Sequence, residues 1–396
     1  MKKILYVFNN INYLSGAQKV TLYQIQRLKG KYDISVFSFI RPDQHLVSED
    51  INILGEDIWP IYEYLGMSLK SVLHNKKLSL VQKYSRIKYT LLSRLNLQER
   101  YFVNLLGDKL KSSFENFDII IVVSEASKLR GMVSELKNPL KIQWIHTDYA
   151  KWCEFSDWTK NITKNDNYLY EKFYKIVLLS DFNRRNMIEK LPSLKEKIAV
   201  IPNLILGDDI LNKAKENPPI EIDKSVINII TVGRLEKEKN YDRILDICLR
   251  FKIDRVKYRW YIVGDGSLRD HLYSRIKSED LEDKVTMLGN LDNPISIMKE
   301  CDWFVLLSEY EGTPVTIDEA KVIGLPVIAI ERGGIKEQLQ DKYGFLLNDD
   351  YELYDRLIKI ILEKKGVQLS FNYLEVNNEI ENMIDKLFKG DIRCKI

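Results

Sequence analysis

The chain has 396 residues, a hydrophobic fraction of 45% and a formal net charge of +3. The length suggests about two domains at roughly 150 residues each, and the apolar content suffices for ordinary cores. The net charge is too small to argue by itself for nucleic-acid binding, and no segment approaches the roughly 20 apolar residues of a membrane span.

Met1-Lys2-Lys3 followed by Ile4–Phe8 resembles a signal peptide, but the apolar run ends at Asn9-Asn10, too soon for a signal core. It is predicted as a first strand. Cys153, Cys248, Cys301 and Cys394 are scattered without a CxxC pair, which suits reduced thiols and a cytoplasmic location. Further apolar runs follow at Ile34–Phe39, Ile119–Val123, Lys141–Ile145, Ile176–Leu179 and Ala199–Ile201. A second series comprises Ile227–Val232, Trp260–Val263, Val285–Leu288, Trp303–Leu307, Val327–Ile330 and Phe345–Leu347. Continuous runs suit strands buried on both faces of a parallel sheet. Their alternation with amphipathic segments gives βαβ units.

The predicted fold class is therefore α/β, with two doubly wound, Rossmann-like domains facing each other across a cleft. The first is expected over 1–206. A polar stretch with Pro218-Pro219 marks a linker over 207–224, and the second domain is expected over 225–371. Asn372 to Phe388 is helical in pattern, and residues 372–396 are expected to return to the first domain.

Between the first strands, Lys70, Lys76, Lys77, Lys83, Arg86, Lys88, Arg94 and Arg100 face a single acid, Glu99. Leu69, Val72, Leu73, Leu78, Leu80, Val81, Tyr84, Ile87, Tyr89, Leu91, Leu92 and Leu95 interleave with them. A basic amphipathic helix of this kind lies on anionic membranes, each cation adding about 1 kcal/mol near the surface. A solvated helix packed on its own domain is the plainer alternative.

Chemistry concentrates in Ser308–Ile330. Glu311 falls at the carboxyl end of a strand, where open α/β sheets bind ligands. Gly312-Thr313-Pro314 forms a turn that opens a helix, with proline in its first turn. Glu319 follows one to two turns into that helix, facing the same crevice. The pair suits an extended ligand with hydroxyls at both ends, such as a nucleotide sugar. Capping and dipole complementarity would explain one of the acids. Backbone N–H groups of Gly312 and Thr313 suit a sugar or phosphate. Gly16 follows the first strand and precedes an amphipathic helix, where backbone can approach a diphosphate. His146 stands just past a strand, beside Thr147 and Asp148. There is no Asp-x-Asp at a plausible site and no His/Cys cluster, so no metal is expected.

Three blocks resemble glycosyltransferase family 4, the retaining enzymes of GT-B fold: Thr231-Val232-Gly233-Arg234-Leu235 with Lys239; Val263-Gly264-Asp265-Gly266-Ser267-Leu268 with Val285–Gly289; and Glu311…Glu319 with Gly324-Leu325-Pro326-Val327. Ser15-Gly16-Ala17-Gln18, Trp144–Asp148 and Ile201-Pro202-Asn203 match more loosely. Trp59 to Ser112 does not match. The resemblance implies transfer of a hexosyl group from a nucleotide diphosphate sugar, UDP-linked, to a glycan or polyprenyl-linked acceptor. The setting would be bacterial capsular or exopolysaccharide assembly, peripheral on the inner membrane face, with contact through Leu69–Leu97. It implies Arg234 and Lys239 as phosphate cations in place of a metal, beside Gly233. It also implies Glu319 on the ribose, Glu311 at the transferred sugar, and His146 at sugar or acceptor. Gln18 stands where the family has glutamate; it and Asp148 are acceptor-side candidates. A catalytically inactive GT-B subunit and a sugar-nucleotide epimerase are the alternatives.

Overall fold

The computed structural model describes residues 1–12, 15–43, 46–93, 98–340, 342–363 and 370–391. The chain divides into two compact units. The first takes Met1–Leu178, Asn186–Ile201 and the chain from Asp385; the second takes Leu179–Arg185 and Pro202–Ile384.

In the first unit, β1 (Lys3–Phe8), β2 (Asp33–Ser38), β3 (Asn52–Leu54), β4 (Ile119–Val122), β5 (Leu140–Trp144), β6 (Lys175–Leu178) and β7 (Ile198–Val200) form one parallel sheet in the order β3-β2-β1-β4-β5-β6-β7. In the second, β8 (Ile227–Val232), β9 (Tyr258–Val263), β10 (Val285–Gly289), β11 (Trp303–Leu306), β12 (Val327–Ile330) and β13 (Gly344–Leu347) run β10-β9-β8-β11-β12-β13, again all parallel. The apolar runs all become strands, and the central ones are covered on both faces. Ile119–Val122, Trp303–Leu306 and Val327–Ile330 are buried along their whole length. The strand that the sequence reading missed, β3, is a three-residue edge strand with no fully buried position. It lacks the two-sided burial that marks the others.

Strand order reverses beside β1 in the first sheet and beside β8 in the second. Each doubly wound sheet therefore has a switch point, between β1 and β4 and between β8 and β11, where the loops at the carboxyl ends diverge to leave a crevice.

The stretch expected as a linker is partly structured. Gly207–Lys213 is a helix, and Ile210, Ala214 and Ile222 join the apolar core of the second unit with Ile230, Phe304 and Ile317. The unit boundary falls between Ile201 and Pro202. The final helix, Tyr373–Lys389, begins in the second unit, where the Tyr373 ring covers Gly207 and the Asn377 side chain bonds both backbone polar groups of Ile205 at 2.8 Å. The division falls within this helix. Asp385 accepts a hydrogen bond from Tyr32 Oη at 2.9 Å and pairs with Lys31, while Lys2 Nζ donates to Phe388 O at 2.8 Å, all inside the first unit. Residues 392–396, including Cys394, lie outside the described residues, as does His45.

The basic segment forms two helices, Leu69–His74 and Leu80–Ser93, broken at Asn75. Arg94 and Leu95–Leu97 lie outside the described residues, and the side chains of Glu99 and Arg100 are likewise not described. The longer helix is turned with its apolar side outward. Leu80 is 84% exposed, Val81 73%, Tyr84 63% and Leu91 56%, while Ser85 is buried. Lys70, Lys76, Lys77 and Lys88 are exposed around it. Lys83 and Arg86 are committed inward, donating to Leu73 O at 3.0 Å and Met67 O at 2.9 Å.

Candidate functional site

In the second unit the loops after β8 and β11 are joined. Glu309 N–H donates to Glu238 O at 2.8 Å and Asn240 Nδ2 donates to Glu309 Oε1 at 2.6 Å. Asn240 sits in the left-handed region at φ 55°, ending the short turn Lys237–Lys239. This junction delivers Lys239 to Glu311: Lys239 Nζ lies 2.6 Å from Glu311 Oε1, and Ser308 Oγ donates to the same oxygen at 2.7 Å. Their side chains are 17% and 8% exposed, so solvent screens the pair weakly. Arg234, the other expected cation, is 61% exposed and tethered to Glu238 at 2.9 Å. The two cations therefore differ in kind: one is a sheltered point charge, the other a guanidinium on a surface tether.

Backbone close approaches hold the frame. Gly233 N–H donates to Val263 O, and Tyr241 Oη donates to Gly233 O, each at 2.9 Å. A Cβ on Gly264, at φ +142°, would stand 1.9 Å from Gly233 O. Replacing Gly264 with Ala combines backbone strain with a clash that β8 and β9 cannot relieve. It is expected to cost about 3 kcal/mol and to be visible as a lower urea midpoint. Gly333, at φ +55°, similarly approaches Glu311 O, and Gly334 N–H donates to Gly312 O at 2.7 Å. That bond takes up the carbonyl of Gly312.

Pro314 occupies the N-cap of helix Val315–Val322 rather than its first turn, and no side chain caps that end. Asn203 Nδ2 approaches Thr313 Oγ1 at 3.5 Å. Glu319 is half-buried in the second turn. Lys321, on the buried face of the same helix, was not anticipated. It pairs with Asp318 at 3.1 Å, donates to Gln338 O at 3.0 Å and lies 4.1 Å from the Phe371 ring centre. These contacts pin the helix from behind; in sequence the residue reads as an ordinary surface lysine.

The first unit has its own cavity, of about 210 Å³, at the switch point between β1 and β4. Phe8, Ser15, Gln18, Val123, Glu125 and His146 line it, with Ala17, Ser124 and Thr147. Gly16 opens helix Gly16–Leu28 between the lining residues Ser15 and Ala17, and no side chain caps that helix. Ser15 Oγ donates to Gln18 Oε1. Both imidazole nitrogens of His146 are sealed from solvent and lack a hydrogen-bond partner among the described residues. Burial pushes its pKa down to about 4. Asp148 is buried and engaged elsewhere: it caps helix Tyr149–Trp152 and receives Asn186 Nδ2 at 3.4 Å, while burial raises its carboxyl. Glu125, absent from the sequence reading, accepts a hydrogen bond from Thr147 Oγ1 at 2.9 Å, and burial raises its carboxyl above the usual range. Nothing in the run Val123-Ser124-Glu125 distinguishes it from a solvated strand end.

His146 carries a stability signature. Its folded pKa of about 4 lies below the ordinary 6.5, so its contribution is intact above pH 6.5 and is lost as pH falls toward 4. Glu125 is shifted the other way and acts in the opposite sense. Comparison with His146→Gln isolates the imidazole: the wild type should lose more stability than the variant between about pH 7 and about pH 5. Urea midpoints at the two pH values decide it, and parallel losses would refute it.

Among the described residues, no group of three or more His, Cys, Asp or Glu is placed to hold a metal ion. No helix among them is long and apolar enough to cross a membrane.

Residues 212–373 match the family model for glycosyl transferases group 1. A 4-alpha-N-acetylgalactosaminyltransferase of Campylobacter jejuni, named for an N-acetylgalactosamine-N,N'-diacetylbacillosaminyl-diphospho-undecaprenol substrate, is 31% identical over 186 residues, covering 46% of this chain and 49% of that protein. The putative colanic acid biosynthesis glycosyltransferase WcaL of Escherichia coli is 28% identical over 225 residues, covering 50% and 54%. The chain thus spans about half the length of these curated relatives. Among solved structures, Anabaena Alr3699/HepE in complex with UDP matches with a TM-score of 0.67 at 16% identity, covering 98% of this chain and 100% of that one. Staphylococcus aureus TarM matches with a TM-score of 0.68 at 14% identity, covering 99% of each chain. The fold is the GT-B fold of these proteins.

Proposed function

We propose that this chain, whose residues 212–373 match the family model for glycosyl transferases group 1, is a retaining glycosyltransferase of family 4 in bacterial cell-surface polysaccharide assembly. It moves a hexosyl group from a UDP-linked sugar to a glycan or polyprenyl-linked acceptor. The observation that carries the reading is the sheltered Lys239–Glu311 pair at the carboxyl ends of β8 and β11.

As the anomeric C–O bond breaks, charge gathers on the leaving diphosphate. A preorganised cation lowers that barrier without solvent reorganisation. Lys239 supplies it, and Arg234, once released from Glu238, clamps phosphate oxygens bidentately. These two take the part a metal plays in other transferases. Glu319 accepts hydrogen bonds from the ribose hydroxyls, and the N–H groups of Gly312 and Thr313 meet sugar or phosphate. Glu311, relieved of Lys239 by the phosphates, bonds the transferred sugar or supports its oxocarbenium charge. The acceptor oxygen bonds to the anomeric carbon on the face the diphosphate leaves. Its proton passes to the leaving phosphate oxygen, and configuration is retained. Within the first unit, the Gly16 backbone suits a phosphate group, and Gln18 and His146 suit hydroxyls of sugar or acceptor. Support for the donor comes from the UDP held by the Anabaena neighbour, and support for a lipid-linked acceptor from the Campylobacter relative's name. The outward apolar face of Leu80–Ser93 and its lysines suit a location on an anionic membrane surface.

The test is a panel of sugar nucleotides incubated with the protein and a membrane extract, read by mass spectrometry. Nucleotide release that depends on acceptor, with a hexose added to it, supports transfer. An isomerised donor means an epimerase instead, and donor binding without turnover means an inactive subunit.

A further inference from the structure

Asp349, just past the end of β13, holds two arginines that come from different loops of the second unit. Its Oδ1 lies 2.8 Å from Arg243 Nη1, and its other oxygen pairs with Arg332 Nη2. Arg243 stands in the first turn of helix Tyr241–Ile253, shortly after Lys239. Arg332 immediately precedes Gly333, the residue whose backbone presses against Glu311 O. Each arginine thus leads, through a short stretch of chain, to one member of the sheltered Lys239–Glu311 pair. Neither stretch is slack. Between Lys239 and Arg243, Asn240 is fixed at φ 55° and its Nδ2 donates to Glu309 Oε1 at 2.6 Å; Arg243 Nη2 comes within 3.9 Å of the same oxygen. On the other side, Glu331 N–H donates to Leu347 O at 3.2 Å, and Gly333 has no room for a Cβ. Arg332 Nε is buried without a partner among the described residues, so its guanidinium is held by Asp349 and by a 3.3 Å bond to Glu331 O. The side chains of Asp349 and both arginines are 26% and 28% exposed, and a bridge at that exposure adds little stability. A pair that merely seats β13 is the plainer alternative. The geometric consequence is larger, since a displacement of about 1 Å can cost a site about 100-fold.

We propose that Asp349 is a positioning residue: through Arg243 and Arg332 it sets the spacing of Lys239 and Glu311, and so presents Lys239 to the donor diphosphate. The presentation to a diphosphate rests on the transferase reading above; the spacing does not. Charge is needed as well as shape. Asparagine has nearly the outline of aspartate but offers one acceptor oxygen and no charge, so it cannot hold both guanidinium groups.

Two measurements on the full chain test this. In the first, urea unfolding of Lys239→Met, Glu311→Gln and the double variant gives the coupling between the two residues, in the wild-type background and again with Asp349→Asn. The coupling should shrink in Asp349→Asn and likewise in Arg332→Gln, which opens one arm of the bridge alone. An undiminished coupling in both overturns the proposal. In the second, UDP and uridine are titrated by calorimetry and saturation-transfer NMR. Asp349→Asn should weaken UDP roughly 10-fold, within the range for residues that share one ion-pair network, and leave uridine unchanged. In the Lys239→Met background the same substitution should no longer affect UDP. Equal weakening of UDP and uridine, or a loss that simply adds to that of Lys239→Met, would make Asp349 structural and defeat the positioning role. A coupling that shrinks in a protein that binds no UDP would leave that role standing and defeat the transferase reading alone.

Discussion

Lys239→Met is expected to lower transfer by about 100- to 1000-fold, the scale observed when one preorganised group facing developing negative charge is removed. The variant will also be less stable, because Glu311 stays largely buried with only the Ser308 hydroxyl beside its paired oxygen. Breaking a buried pair by removing one partner costs about 3 kcal/mol or more. The two effects separate in a double variant. Lys239→Met with Glu311→Gln removes the stranded charge, so thermal stability should largely return. Activity should not return, because no cation then faces the diphosphate. Arg234→Met should cost less stability, since its exposed pair with Glu238 is worth at most about 1 kcal/mol. Recovery of both stability and transfer in the double variant would reduce Lys239 to a structural role.

Sedimentation with phosphatidylglycerol vesicles should be lost almost completely when Lys70, Lys76 and Lys77 are replaced by Gln. Three surface cations at about 1 kcal/mol each amount to roughly 100-fold in partitioning. Lys83 and Arg86 are poor choices for this test because each already bonds a backbone carbonyl of the segment. The apolar half is tested separately. Leu80→Ser with Val81→Ser should weaken binding to anionic vesicles and leave the salt dependence intact, since it removes buried area and no charge. Full binding to uncharged phosphatidylcholine vesicles, or none to either kind, would exclude an anionic bilayer as the partner. Concentration-dependent dimerisation abolished by the serine variant would assign the face to a second copy of the chain.

Strand positions were legible because parallel strands covered on both faces are apolar at most positions, and no polar residue interrupts runs such as Ile119–Val122. The edge strand β3 escaped for the same physical reason, having no such demand on it. The polar stretch after Leu206 misled, because three apolar side chains, Ile210, Ala214 and Ile222, suffice to seat it on the second core. The acids and cations of the second unit stood out through their places after strands. Their pairing did not: the contact between Lys239 and Glu311 joins residues 72 positions apart and depends on the link between Glu309 and Glu238. Glu125 was invisible because a carboxylate after a strand reads as solvated until the fold buries it.

The last helix sets an order on biosynthesis. Tyr32, Lys31 and Lys2 of the first unit find their partners in Asp385 and Phe388. A ribosome makes those residues only after the whole second unit has emerged. The nascent first unit therefore waits with the edge around Tyr32 uncovered while the second folds, and the final turns of the chain close it. Neither unit corresponds to a single contiguous stretch of message, so cutting the gene at the boundary near Ile201 would strand the closing turns on the wrong fragment.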